Sequence, residues 1–340
     1  MGQRFDIECK PRADWYLQTR LQQDKDKNVS LDQTRYSKSM IQRFLPALAN
    51  QEPTKSEMKK YQSPMKLNVS LTKDDNSKSK EEVKQLEEEF GFKYLELIGC
   101  FNWLSYTCYE EIFCIRRLCR FMNLPGRPHF LTALHLLHHF RCHPPKPLIF
   151  YHDHMTSPVM QMLQNNPNYQ DLLSTTEGHV VFADSSHADA GEGRSTACQL
   201  QVYQGGIVYH ASWVPDPVAM SSAESENNCY SVAIMKGKYI SRVLNFVRNG
   251  NERPFSLLST IPICVDNNAA ITMNESDNIT RRVRHVESRY WYGRQAVQAG
   301  EVKFIKVSGQ TEQPADIGTK NMQEKDARKY LDLFEAPYYT

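Results

Sequence analysis

Val180–Ser186 reads VVFADSS: four apolar residues in a row, then Asp184, then two serines. Such a run fits a strand buried on both faces, with a carboxylate placed near its end by the sheet. Three more acids sit in contexts of the same kind farther along: Glu226 in MSSAESEN, Asp266 in PICVDNN and Asp316 in QPADIGT. These contexts predict strand, helix, strand and helix in turn. A compact α/β fold can therefore gather all four side chains at one edge of a sheet.

Carboxylates gathered in this way suit hard divalent cations, which prefer oxygen ligands. Two ions about 4 Å apart can stabilise both the attacking and the leaving oxygen of a phosphoryl displacement. Each acid also has an ordinary explanation. An Asp at a strand end often caps a turn, and Glu224 and Glu226 both fall in the first turn of a helix, where the macrodipole favours anions. Asp266 precedes two asparagines and could cap the next helix, and Asp316 follows a proline at a helix start.

Working outward, residues 180–322 predict the order strand, strand, strand, helix, strand, helix, helix, strand, helix. TACQLQVYQ (196–204) and GIVYHASWV (206–214) form a hairpin about Gly205 and Gly206. A long helix is expected over 221–246, IPICVD (261–266) as the fourth strand, helices over 268–273 and 286–299, VKFIKV (302–307) as the last strand, and a terminal helix around Ala315.

The same stretch resembles the ribonuclease H domain that closes the polyprotein of copia-type retrotransposons. The resemblance is carried in order by the Asp184 strand, GRST (193–196), YQGGIVYHAS (203–212), VAMSSAESE (218–226), VDNNAAI (265–271), RHVESRYWYGR (284–294) and ADIGTK (315–320). More loosely, 5–36 and 94–140 are similar to the thumb and connection region that follows the reverse transcriptase palm, which would precede Met1. The resemblance implies an α/β, ribonuclease H-like mixed five-stranded sheet flanked by helices, preceded by a mainly helical thumb/connection-like domain. Its expected divisions are 1–165 for the thumb/connection-like region, with 50–82 as a flexible linker or loop, 176–325 for the ribonuclease H-like domain and 326–340 for a tail. Within the first region the apolar spacing over 87–122 is helical, and the polar, Asn-rich stretch 155–176 reads as an interdomain connection.

The resemblance further implies that Asp184, Glu226, Asp266 and Asp316 are the catalytic and metal-binding residues, holding two Mg²⁺ or Mn²⁺ ions. The second of the two glutamates is the family's ligand, with Glu224 as the alternative. The expected activity is hydrolysis of the RNA strand of an RNA·DNA hybrid during reverse transcription, by metal-activated water and without a covalent enzyme intermediate. Hybrid shape and 2′-hydroxyl contacts would set the preference. Arg281, Arg284, His285 and Arg289 are candidate phosphate contacts, and the upstream polymerase region of the same polyprotein is a candidate partner. Two departures stand out. Asn227 and Asn228 follow Glu226, giving a polar helix face beneath the acids, and Ser186 stands where the family often has a second acid. An inactive retroelement remnant that only binds nucleic acid, or does nothing, is the rival reading.

Composition sets the remaining bounds. At 340 residues, with 40% hydrophobic and 11% aromatic content, the chain can build two ordinary cores. A net charge of +2 supplies no global attraction to nucleic acid, so any such binding needs local basic patches. Nine cysteines without a CxxC pair argue for reduced thiols. With no signal-like or membrane-length apolar stretch, the expected setting is a cytoplasmic retroelement particle or the nucleus, away from membranes and not secreted. HLLHHFRCH (135–143) offers His135, His138, His139, Cys142 and His143 at helical spacing. This is a possible zinc constellation, set against a partly buried helix surface.

Overall fold

The computed structural model describes residues 14–67, 69–172, 176–189, 193–216, 218–250, 256–275 and 291–334. Its centre is a five-stranded sheet of β5 (His179–Ser186), β6 (Thr196–Tyr203), β7 (Gly206–Trp213), β8 (Ile261–Val265) and β9 (Val302–Lys306), ordered β7-β6-β5-β8-β9. The hairpin strands β5, β6 and β7 are antiparallel, whereas β8 and β9 run parallel to β5. The mixed sheet expected from the sequence is therefore present, in the expected element order.

Side-chain alternation divides the sheet into two faces. Val181, Ala183 and Ala197 face the long helix α8 (Ser222–Asn249), and Cys229, Tyr230, Ala233 and Ile234 of that helix complete one core. Val180, Phe182, Cys198 and Leu200 face the other way, onto α7 (Pro158–Gln164) and the helix Glu324–Leu331. Two expectations change here. Residues 155–176 do not form a bare connection, because Val159, Met160, Leu163 and Tyr169 are core beneath the sheet. The start of the expected tail is likewise packed, with Tyr330, Leu331 and Phe334 buried. Both segments carry enough apolar surface on one side to be drawn under the sheet.

The N-terminal region couples a small sheet to a helical core. Strands β1 (Trp15–Tyr16), β2 (Thr19–Gln23), β3 (Val29–Asp32) and β4 (Leu148–Phe150) form a four-stranded sheet in that order. Helices α1 (Thr34–Phe44), α3 (Lys80–Phe90), α4 (Tyr94–Leu104), α5 (Ile112–Cys119) and α6 (Arg127–Cys142) enclose Leu97, Ile98, Phe101, Leu118, Phe130 and Leu137. The helical spacing over 87–122 is thus split into pieces. Gly91, at φ 73°, ends α3 in the left-handed conformation that glycine adopts without strain.

The polar stretch 50–82 is not a featureless linker. It contains α2 (Lys55–Lys60), started by a reciprocal capping box between Thr54 and Glu57, and it buries Met65, Leu71 and Ser77. Histidines hold it in place: ring nitrogens of His135, His139 and His143 hydrogen-bond the carbonyls of Ser63, Tyr61 and Met58 at 3.0, 2.7 and 3.1 Å. The i, i+4, i+8 spacing that suggested a metal site instead lines up one face of α6 against three loop carbonyls. Burial pushes His135 down to about 4, so it stays neutral at pH 7. All eight cysteines among the described residues are free, and among those residues no helix is long and apolar enough to cross a membrane.

Candidate metal centre

The parallel pair β5–β8 pairs only at Val181 with Ile263 and Phe182 with Cys264. Beyond those positions the two strands diverge, and the carboxyl ends of parallel strands are where a crevice opens. Gln313, fully buried, fills the split: its Nε2 donates to the carbonyls of Ala183 at 3.0 Å and Cys264 at 3.5 Å. Asp184 projects from β5 just past this point, and Asp266 follows the last residue of β8.

Glu226 arrives from α8. Ser221 caps that helix, its hydroxyl accepting from the Glu224 amide at 3.2 Å, while the Glu224 carboxylate accepts from the Met220 amide at 2.8 Å. Glu224 is therefore occupied at the helix start. Glu226, two residues on, turns inward and is 5% exposed. One turn later the Cys229 thiol donates to the carbonyls of Asp184 and Cys198, both at 3.2 Å, and Ser225 and Ser185 share a 2.5 Å hydrogen bond. These contacts fix α8 against the strands that carry Asp184.

Asp184, Glu226 and Asp266 each present a carboxylate oxygen, and the three oxygens lie within 4.8 Å of one another. Among the described residues this is the one His, Cys, Asp or Glu group with such geometry, and it could hold a metal ion. Asp316 lies within hydrogen-bonding reach of Asp184 and close enough to raise Asp266, but outside the set of three. Its Oδ1 accepts from Lys320 Nζ at 2.8 Å. The Thr319 hydroxyl donates to Asp184 Oδ2 at 2.6 Å, and the Lys306 ammonium donates to the Asp266 carbonyl.

Burial dominates the electrostatics. It pushes Asp184 up to about 8, with Asp316 adding to the rise, and pushes Glu226 up to about 10, with Asp184 and Asp266 adding. Asp266 rises for the same reason, burial first and Asp316 second. Glu226 Oε2 is buried without a hydrogen-bond partner. Crowded, dehydrated carboxylates with an unpartnered oxygen are what a cation of high charge would neutralise, so the residues present fit a divalent metal.

Arg281, Arg284, His285 and Arg289 lie outside the described residues. The polar helix face has a split account. Asn227 accepts from Asn274 Nδ2 at 2.7 Å and so ties α8 to α9 (Asn268–Glu275), whereas both side-chain polar atoms of Asn228 are buried without partners. Sequence reasoning missed Thr319, Lys320 and Gln313, all of which touch the acids or the strands beneath them. The adjacency of QPADIGTK to Asp316 was the available signal.

No family model matches the chain, and no curated protein matches it. Among solved structures, a ribonuclease H1 isolated from compost by a metagenomic approach is similar at 9% identity, covering 44% of this chain and 98% of that chain, with a TM-score of 0.30.

Proposed function

We propose that this chain is a divalent-metal-dependent ribonuclease of the ribonuclease H type that hydrolyses the RNA strand of an RNA·DNA hybrid, and that it derives from the end of a copia-type retroelement polyprotein. The observation that supports this best is the convergence of Asp184, Glu226 and Asp266 from two strands and a helix, with oxygens within 4.8 Å of one another, at the split end of a parallel strand pair. Asp184, Glu226 and Asp266 would hold the cation, with Asp316 at the side of Asp184 to serve a second. Bound Mg²⁺ or Mn²⁺ would supply Lewis-acid activation of water and charge stabilisation at the departing 3′ oxygen.

The chain's own contribution is placement. The β5 backbone and the Thr319 hydroxyl fix the Asp184 carboxylate, and Gln313 keeps the strand ends apart so that the crevice stays open. The Lys320 ammonium stands beside Asp316, where it can offset the negative charge of an approaching phosphodiester. In this reading residues 1–165 are a thumb/connection-like region and 176–325 the nuclease unit, the two sharing a packed boundary.

Purified protein with Mg²⁺ or Mn²⁺ is expected to cut a labelled RNA·DNA hybrid, and Asp184→Asn to abolish the cut while leaving circular dichroism unchanged. A folded wild-type protein that leaves the hybrid intact under both cations would reject the enzymatic reading in favour of an inactive remnant.

A further inference from the structure

Asn228, Ser231, Val232 and Met235 recur every three or four residues along α8 and so share one face of it. That face, Trp213 at the end of β7 and Tyr292 of α10 (Trp291–Gln298) border a cavity of about 580 Å³, the size of a pocket for a small organic ligand. Glu226, two residues before Asn228, lies about 200° around the helix from it. None of Asp184, Glu226, Asp266 and Asp316 lines the cavity, which is therefore separate from the carboxylate site.

Asn228 sets this cavity apart. It is 6% exposed, and neither its Oδ1 nor its Nδ2 has a hydrogen-bond partner. Its polar neighbours on α8 are otherwise employed: Asn227 accepts from Asn274 at 2.7 Å, and the Ser231 hydroxyl donates to the Asn227 carbonyl at 3.1 Å. A buried amide left unpaired costs stability, and packing alone would favour an apolar side chain of the same shape. Placed in the wall of a cavity, it points to a ligand that offers a donor and an acceptor side by side.

The other walls narrow the chemistry. Trp213 and Tyr292 are half-buried rings, packed against the core beside α8 and bordering the cavity. Aromatic walls favour a flat ligand that can stack. Among the described residues no Lys or Arg lines the cavity, and its one carboxylate, Asp216, is exposed. A phosphate would find no cation there, so the part that enters is neutral. A neutral planar group with a donor and an acceptor on one edge is a nucleobase, and an asparagine amide pairs with the N6 and N7 edge of adenine.

We propose that this cavity takes an unpaired adenine base, stacked on its aromatic walls and held along one edge by the Asn228 amide. Stacking inside a pocket requires a base that has left the duplex. The choice of a nucleic-acid base rests on the nuclease reading, but binding is measured without cleavage. The base can come from a single-stranded stretch or from a free nucleoside, and the test separates the two.

The test is fluorescence anisotropy of labelled oligoadenylate and oligouridylate of equal length with the full chain in EDTA. The wild type is expected to bind oligoadenylate about tenfold more tightly. Asn228→Leu should abolish that preference, and Trp213→Leu should weaken binding of both strands by about tenfold through lost stacking. A wild-type chain that binds the two strands alike overturns the proposal, as does an Asn228→Leu variant that melts at or above the wild type and keeps the preference. Should Asn228→Leu not fold, Asn228→Ala carries the same expectation and the same refutation. Excess adenosine then identifies the source. Displacement of oligoadenylate shows that a free nucleoside suffices, and no displacement with the preference intact assigns the pocket to bases within a strand; both support it. Hybrid cleavage is read in parallel with Mg²⁺. An adenine preference that depends on Asn228 without cutting removes the nuclease reading and leaves the pocket standing, and cutting without any adenine preference does the reverse.

Discussion

Cation binding at the carboxylates should expel protons, and the number follows from the burial of each acid. Asp184 is pushed up to about 8 and Glu226 to about 10, so at pH 7 both carry a proton when no metal is present. A carboxyl group must be ionised to ligate a hard cation, and each proton held back makes the apparent affinity pH-dependent. Binding of Mn²⁺ at pH 7 is therefore expected to release about two protons and to tighten by roughly a hundredfold between pH 6 and pH 7, tenfold for each proton. Isothermal titration calorimetry in buffers of different ionisation enthalpy counts the protons directly. Saturable binding with no proton release would refute the argument that burial protonates these acids. The same shifts set the stability of the metal-free protein. Both folded-state values lie above those of the unfolded chain, so the stabilising contribution is complete below about pH 4 and is lost as pH rises through about 8 and then 10, by roughly 1.4 kcal/mol per pH unit for each group. Melting temperature without metal should fall from pH 5 to pH 8, and Asp184→Asn should flatten that fall.

Thr319→Val removes the hydroxyl that donates to Asp184 Oδ2 at 2.6 Å, and such a supporting contact is worth roughly 10–100-fold in metal affinity or activity. Hybrid cleavage rates and Mn²⁺ titration check it against an unchanged circular dichroism spectrum. A Cβ at Gly309 would collide with Asp266 Oδ2, so Gly309→Ala should displace that carboxylate and lower cleavage by up to about a hundredfold, with little effect on a urea melt. Asn228→Leu replaces an amide whose oxygen and nitrogen are both buried without partners, and urea denaturation should show a gain of about 1–2 kcal/mol.

Much of the sheet was legible because its strands obey local rules. VVFAD and IPICV are short apolar runs that only a strand buried on both faces uses well, and Gly205–Gly206 marks the hairpin between β6 and β7. The long helix was legible through Ser221 and Glu224, the residues that start it. The histidines of α6 left two readings open for an equally local reason, a metal site or a partly buried helix surface, since i, i+4 spacing describes which face a ring occupies and is silent about its partner. Carbonyls of Met58, Tyr61 and Ser63 took the place a metal would have had. The stretches 50–82 and 155–176 looked like linkers because their apolar residues are few and widely spaced, yet Met65, Leu71, Val159 and Tyr169 each find a cavity to fill.

By itself the sequence determined which segments become strands and helices, and that Asp184, Glu226 and Asp266 would stand at their ends, because backbone propensity and capping act over a few neighbouring residues. Tertiary structure decided that the Glu226 carboxylate turns inward while Glu224 is held at the helix start, and that Asp316 stands beside Asp184 but outside the three-oxygen set. Those outcomes depend on contacts between residues far apart in the chain, where packing of one element against another sets distance and burial, and burial in turn sets charge.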